Sequence, residues 1–130
     1  MARSLFVLLL GFSTLLLLTP AWLLQAEAAT QIIPWDLNWT KRVHLPQISI
    51  GDDLVFKWVD LAWHDLWIMD DEKAFKACDF QRAKRLRPLV VGGQYTYTVR
   101  DSGSYYFASS GLLQCNYYKV KISFKLLAPP

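Results

Sequence analysis

Few side chains in this sequence could carry out covalent or metal chemistry, and their scarcity narrows the function. Beyond an apolar N-terminal stretch the chain holds two cysteines, Cys78 and Cys115, two histidines, His44 and His64, and one methionine, Met69. Two cysteines exclude a four-cysteine zinc site and any cysteine-dense scaffold. A serine hydrolase needs serine, histidine and an acid in register. Ser109, Ser110 and His64 are present with many aspartates, but no nucleophile-elbow motif frames either serine, and the chain is read as a non-enzyme. Asp70-Asp71-Glu72 lacks the spaced acidic loop of a calcium site and reads better as a solvated helix start. No glycine-rich phosphate loop occurs, and Gly92-Gly93 fits a turn.

Two binding features remain. Arg82-Ala-Lys-Arg-Leu-Arg87 places four cations, Arg82, Lys84, Arg85 and Arg87, in six residues following Phe80. Such a run attracts anionic partners in a salt-sensitive way, or serves only as a solvated loop. Trp58, Trp63 and Trp67 would offer an aromatic platform if exposed; large aromatics in a small domain are more often core, so at least two are expected to be buried. The net charge of +3 on 130 residues is too small to argue for nucleic acid.

The N-terminus reads as a secretory signal over residues 1–28. Arg3 gives the charged start, Leu5 to Leu18 the apolar run, Pro20 the break, and Ala26-Glu27-Ala28 the small-x-small cleavage pattern. The alternative is a retained anchor that would hold the protein at the plasma membrane. Secretion implies an oxidising compartment, in which Cys78 and Cys115 are expected to pair; two buried free thiols are the alternative. It also makes Asn38-Trp39-Thr40 a usable glycosylation sequon at Asn38. The C-terminus, Leu126-Leu127-Ala128-Pro129-Pro130, carries no lipid-anchor pattern, so no stable membrane attachment is expected after cleavage.

The elements that must position these residues are strands. Residues 94–100 alternate, with Tyr95, Tyr97 and Val99 on one face; residues 119–126 alternate with Val120, Ile122, Phe124 and Leu126 inward. Residues 53–59 place Leu54, Phe56 and Trp58 together, and residues 63–69 and 104–108 are further aromatic-rich strands. Turns are predicted at Gly51-Asp52-Asp53, Gly92-Gly93 and Asp101-Ser102-Gly103. Only residues 71–78 look helical, for one or two turns. Many short strands in about 100 residues predict one all-β sandwich domain over residues 29–130.

Several segments carry a resemblance. Ile48-Ser-Ile-Gly-Asp-Asp-Leu-Val-Phe56 resembles the strand pair of the phytocyanins, plant members of the cupredoxin group. Trp63-His64-Asp65-Leu66 resembles their copper-ligand segment, Gly103-Ser-Tyr-Tyr-Phe107 the strand leading to the copper loop, and Tyr118-Lys-Val-Lys-Ile122 the final strand. Cys78 and Cys115 fall where that family places its disulfide. The resemblance covers residues 30–126, loosely in the first third, and implies a cupredoxin-like Greek-key sandwich with one short helix.

The metal positions depart from the family. Of the four, only His64 is kept: Ser109 stands at the thiolate position, Gln114 at the second imidazole, and Tyr118 at the axial ligand once one loop residue is deleted. A type 1 copper site requires a thiolate and two imidazoles, and no histidine follows position 64. Copper is therefore not expected as a cofactor, beyond weak adventitious Cu(II) or Zn(II) at His64 with Asp65 or Asp60. The resemblance then implies a secreted, apoplastic protein of early-nodulin-like or plantacyanin-like type. Its expected partner is an extracellular polysaccharide or a cell-surface protein, met through residues 109–118 and the basic run. The alternative is an electron carrier with a degenerate site.

Overall fold

The computed structural model describes residues 28–37 and 47–129. The signal through residue 27, the Asn38 sequon and His44 lie outside the described residues. Five strands and one helix follow in order: β1 (Thr30–Pro34), β2 (Asp53–Ile68), α1 (Glu72–Ala77), β3 (Lys84–Thr98), β4 (Gly103–Ala108) and β5 (Lys121–Leu126).

β2 organises the molecule. β3 runs antiparallel along its whole length on one edge. On the other edge β1 pairs parallel with the first part, Thr30 against Asp53, and β4 pairs antiparallel with the end, Trp67 against Ala108. β5 then pairs antiparallel with β4. One strand thus serves two sheet segments, and the sheet curls around a shared core, the all-β architecture expected from the alternation. Leu54, Phe56 and Trp58 of β2 point inward with Ile33, Val99, Tyr105, Phe107, Val120 and Ile122, all buried.

β2 was read as two strands because its middle breaks the period. Trp58 pairs with Gly93 and Trp63 with Val91, so Val59, Asp60, Leu61 and Ala62 bulge opposite the single residue Gly92. Gly92 sits at φ +61°, a conformation glycine reaches without steric cost. Gly92-Gly93 is therefore not a turn between strands but the pivot at which β3 follows the kink of β2. The basic run is likewise not a free loop: Lys84, Arg85 and Arg87 belong to β3, and only Arg82 lies in the preceding turn. Among the described residues β3 pairs only with β2. Its outer edge carries Lys84, Arg85 and Pro88, residue types that discourage strand addition.

The short helix forms as its sequence suggests, with the Asp71 side chain capping the Ala74 amide at 2.8 Å. It ends at Cys78, which adopts a left-handed conformation at φ 51°. Cys78 is bonded to Cys115, 37 positions later. This bridge sits in a second apolar cluster with Met69, Ala108, Phe75 and Phe80. Lys121 Nζ lies beside it, 3.6 Å from Cys78 Sγ, and donates to the Phe75 carbonyl at 3.0 Å. Burial, then the charge of Lys119, pushes the Lys121 ammonium below the ordinary lysine range.

Candidate functional site

The second half of β2 brings His64 and Asp65 under the loop that links β4 to β5. His64 is completely buried, and both ring nitrogens are engaged. Nε2 lies 2.7 and 2.9 Å from the two carboxylate oxygens of Asp60. In a regular strand residues four apart are about 13 Å apart. The bulge folds Asp60 back onto the ring, and the Leu37 amide holds the same carboxylate at 3.3 Å. Nδ1 lies 2.8 Å from Gln114 Oε1.

Gln114 Nε2 donates to the Trp63 carbonyl at 2.6 Å, so its oxygen is the atom facing the ring. An amide oxygen and a carboxylate only accept, so an acceptor faces each His64 nitrogen. The ring is enclosed between Asp60 and Gln114, and neither nitrogen is turned toward an open position. The Trp58 indole meets the same ring edge-on at 6.3 Å between centroids.

Ser109 continues the network. Its hydroxyl lies between Gln114 Oε1 and Asp65 Oδ1, the latter at 3.1 Å. Asp65 also accepts the Ser110 amide at 2.6 Å, the Ser110 hydroxyl, and the Trp67 indole N–H at 2.8 Å. The Asp65 backbone carbonyl takes the Trp35 indole N–H at 2.9 Å. Gln114 is held from behind by the Val120 amide, which donates to its carbonyl at 2.7 Å, and by its neighbour Cys115 in the disulfide. Gly111 closes the loop: a Cβ there would lie 2.6 Å from Gln114 Cδ, so only glycine allows this approach.

His64, Ser109 and Gln114 thus meet, as the family resemblance implied. Tyr118 does not join them; it is exposed, with its ring edge-on to Tyr117 at 5.0 Å. The two aspartates separate in role, Asp60 binding His64 and Asp65 binding the serines. Neither the bulge that delivers Asp60 nor the Gln114–Trp63 bond has a signature in the sequence, although an acid four residues before the histidine was visible. Among the described residues no group of three or more His, Cys, Asp or Glu side chains is arranged to hold a metal ion.

Around the buried network the surface is apolar. Trp63 is 58% exposed, Leu61 91%, Leu112 89% and Tyr117 71%. Val91, opposite Trp63 in β3, and Leu113, next to Gln114, are exposed as well. The three tryptophans do not form a platform: Trp58 is buried, Trp67 half-buried against Phe80, and only Trp63 is open. The basic run splits. Arg85 lies over the Trp67 ring, 5.9 Å from its centroid, whereas Arg87 is half-buried elsewhere.

No protein-family model and no curated protein matches the chain. Solved structures do. Cucumber stellacyanin with Cu2+ superposes with a TM-score of 0.60 at 18% identity, over 81% of this chain and 100% of that one. Spinach plantacyanin gives 0.56 at 19%, over 75% and 99%. Cucumber basic protein, a blue copper protein, gives 0.55 at 19%, over 75% and 99%. At such identities the likeness speaks to architecture: the chain has the cupredoxin-like β-sandwich fold of the phytocyanins.

Proposed function

We propose that this chain is a secreted binding protein on a cupredoxin scaffold, in which the metal position has become a hydrogen-bonded plug. The observation that carries this reading is the use of both His64 nitrogens by Asp60 and Gln114. The residues present do not fit copper. The thiolate position is the hydroxyl of Ser109, and the second imidazole position is the amide of Gln114. Both cysteines are spent on the disulfide. Hydroxyl and carboxamide oxygens are poor substitutes for thiolate and imidazole toward copper. Of the four family positions, His64, Ser109 and Gln114 then serve packing and loop closure rather than electron transfer, while Tyr118 stands outside them at the surface.

The partner in this reading is an acidic extracellular protein. The exposed groups at the plug end are mostly aliphatic, Leu61, Leu112, Leu113 and Val91 beside the aromatic Trp63 and Tyr117, a mixture that suits a protein surface. Arg85, Lys84 and Lys57 on the adjoining strands would steer an acidic surface toward them. Signal cleavage, apoplastic location and a glycan on Asn38 belong to the same proposal, supported by the N-terminal signal pattern and the sequon.

The test uses the secreted full-length product. Cu(II) is added, excess metal removed, and visible absorption and metal content recorded. Colourless, metal-free protein is expected, and an intense blue thiolate-to-copper band overturns the reading in favour of an electron carrier. A glycan array at low and high salt separates the partner classes. Saturable glycan binding lost on Arg85→Ser would replace the protein partner with a polysaccharide.

A further inference from the structure

Arg87 is the cation of the basic run that the surface does not explain. Residues two apart on a strand ordinarily share a face. Here Trp67 pairs with Arg85 and its neighbour Leu66 pairs with Arg87, which leaves Leu86 as an extra residue in β3. Arg85 and Arg87 therefore leave the strand on opposite sides. Arg85 covers Trp67; Arg87 enters a shallow groove at the kink with Lys57, Trp58, Val59, Gly92 and Gly93.

The groove exists because Gly93 has no side chain. A Cβ there would lie 2.8 Å from Trp58 Cζ2, and the indole is fixed by its N–H, which donates to the Val90 carbonyl at 3.1 Å. Among the described residues no carboxylate lines the groove, and two cations do, Lys57 and Arg87. Arg87 Nε is buried and has no hydrogen-bond partner among the described residues. Buried donors are nearly always satisfied, so an orphaned one marks a group waiting for an acceptor. Guanidinium Nε and Nη donors lie parallel and match the two oxygens of a carboxylate.

We propose that this groove is a carboxylate-binding site, occupied by an Asp or Glu side chain of the partner protein. The inference rests on the protein-docking reading above and supplies its anchor. In the bound state the Arg87 side chain turns so that Nε meets the carboxylate, and Lys57 adds a second positive charge that attracts it. Val59, 77% exposed at the rim, favours an acidic residue flanked by aliphatic ones.

The test is a titration of 15N-labelled full-length protein at low salt. The probes are acetyl-Leu-Asp-Leu-amide, its Leu-Asn-Leu counterpart and trigalacturonate. The Arg87 Nε–Hε resonance and the Gly92 and Gly93 amides are followed. The Asp peptide is expected to shift these signals saturably, and the Asn peptide is not. Arg87→Gln should bind the Asp peptide roughly tenfold more weakly or worse, with Arg87→Lys intermediate because it keeps charge but not the fork. Lys76→Gln, an equal charge change on α1 outside the groove, should leave binding unchanged. No response to the Asp peptide, an equal response to the Asn peptide, or full binding by Arg87→Gln of native spectrum each overturns the site. Tighter binding of trigalacturonate than of the peptide overturns the protein side chain as its occupant. A blue copper band would instead overturn the proposed function and leave this titration to be judged alone.

Discussion

The two ends of this sandwich share strands, yet they are held together by opposite means. At one end Phe56, Phe107, Tyr97, Tyr105 and Phe124 form a continuous aromatic cluster, with ring centroids 4.9 to 6.5 Å apart. At the other, Asp60, His64, Gln114, Ser109 and Asp65 form a chain of directional bonds. The aromatic end draws on burial, which is non-directional and adds up contact by contact. The plug draws on mutual satisfaction: each group is tolerable inside only while its partner is in place. The first end should respond to volume, the second to completeness.

The largest effect expected at the aromatic end is Phe107→Ala. Phe107 is fully buried and touches Phe56, Tyr97, Tyr105 and Phe124. Its loss should cost about 4 kcal/mol, read as a lower midpoint in denaturant with an unchanged slope. Opening the disulfide should cost roughly 3–4 kcal/mol by loop-entropy reasoning. Cys115 adjoins Gln114, so reduction should also change the His64 ring signals in NMR, while Phe107→Ala should leave them in place.

At the plug, Asp60→Ala leaves the buried His64 Nε2 without its partner and should cost about 2 kcal/mol. The comparison is broken or sharpened by the double variant. If completeness rules, His64→Leu combined with Asp60→Ala costs less than Asp60→Ala alone, because no buried ring nitrogen remains to satisfy. Additive losses would mean the plug behaves like the core. Gly111→Ala tests the lid more gently. Its methyl would collide with the Gln114 amide and should cost about 2 kcal/mol, within the range for overpacking, while Gly92→Ala meets no neighbour and suffers only its positive φ.

The same contrast decides what could be read from the sequence. β5 was legible because Val120, Ile122, Phe124 and Leu126 keep strict period two, and α1 because Asp71 caps it. The unity of β2 was not, since Val59 to Ala62 bulge against one glycine and erase the period where the strand bends. Gly92-Gly93 carries the signature of a turn and serves as a pivot, because a glycine pair permits both. The cations at Lys84 to Arg87 read as loop because charge on an edge strand looks the same. At the plug, the resemblance of the flanking segments to a known family located His64, Ser109 and Gln114, although two of the three residue types depart from that family. The bonds among them depend on the bulge and on the loop returning over β2, and long-range geometry of that kind leaves no local pattern.

The smallest expected effect lies at the aromatic end and separates its one titrating contact from its packing. Burial, then the nearby Tyr105 and Asp101, raises the Tyr97 phenol above the ordinary 10.0. The unfolded chain therefore loses this proton first as pH rises. A group that binds its proton more tightly when folded contributes fully below its unfolded pKa, and the contribution fades as pH climbs through the folded value. Tyr97 should thus cause no pH dependence at neutrality and a loss of stability beginning near pH 10. Tyr97→Phe should flatten that alkaline limb and leave the neutral stability nearly unchanged, since its ring contacts with Tyr105 and Phe107 persist. Unfolding midpoints between neutral and strongly alkaline pH decide it. An alkaline limb unchanged by Tyr97→Phe would place the titration elsewhere and leave the aromatic end responsive to volume alone.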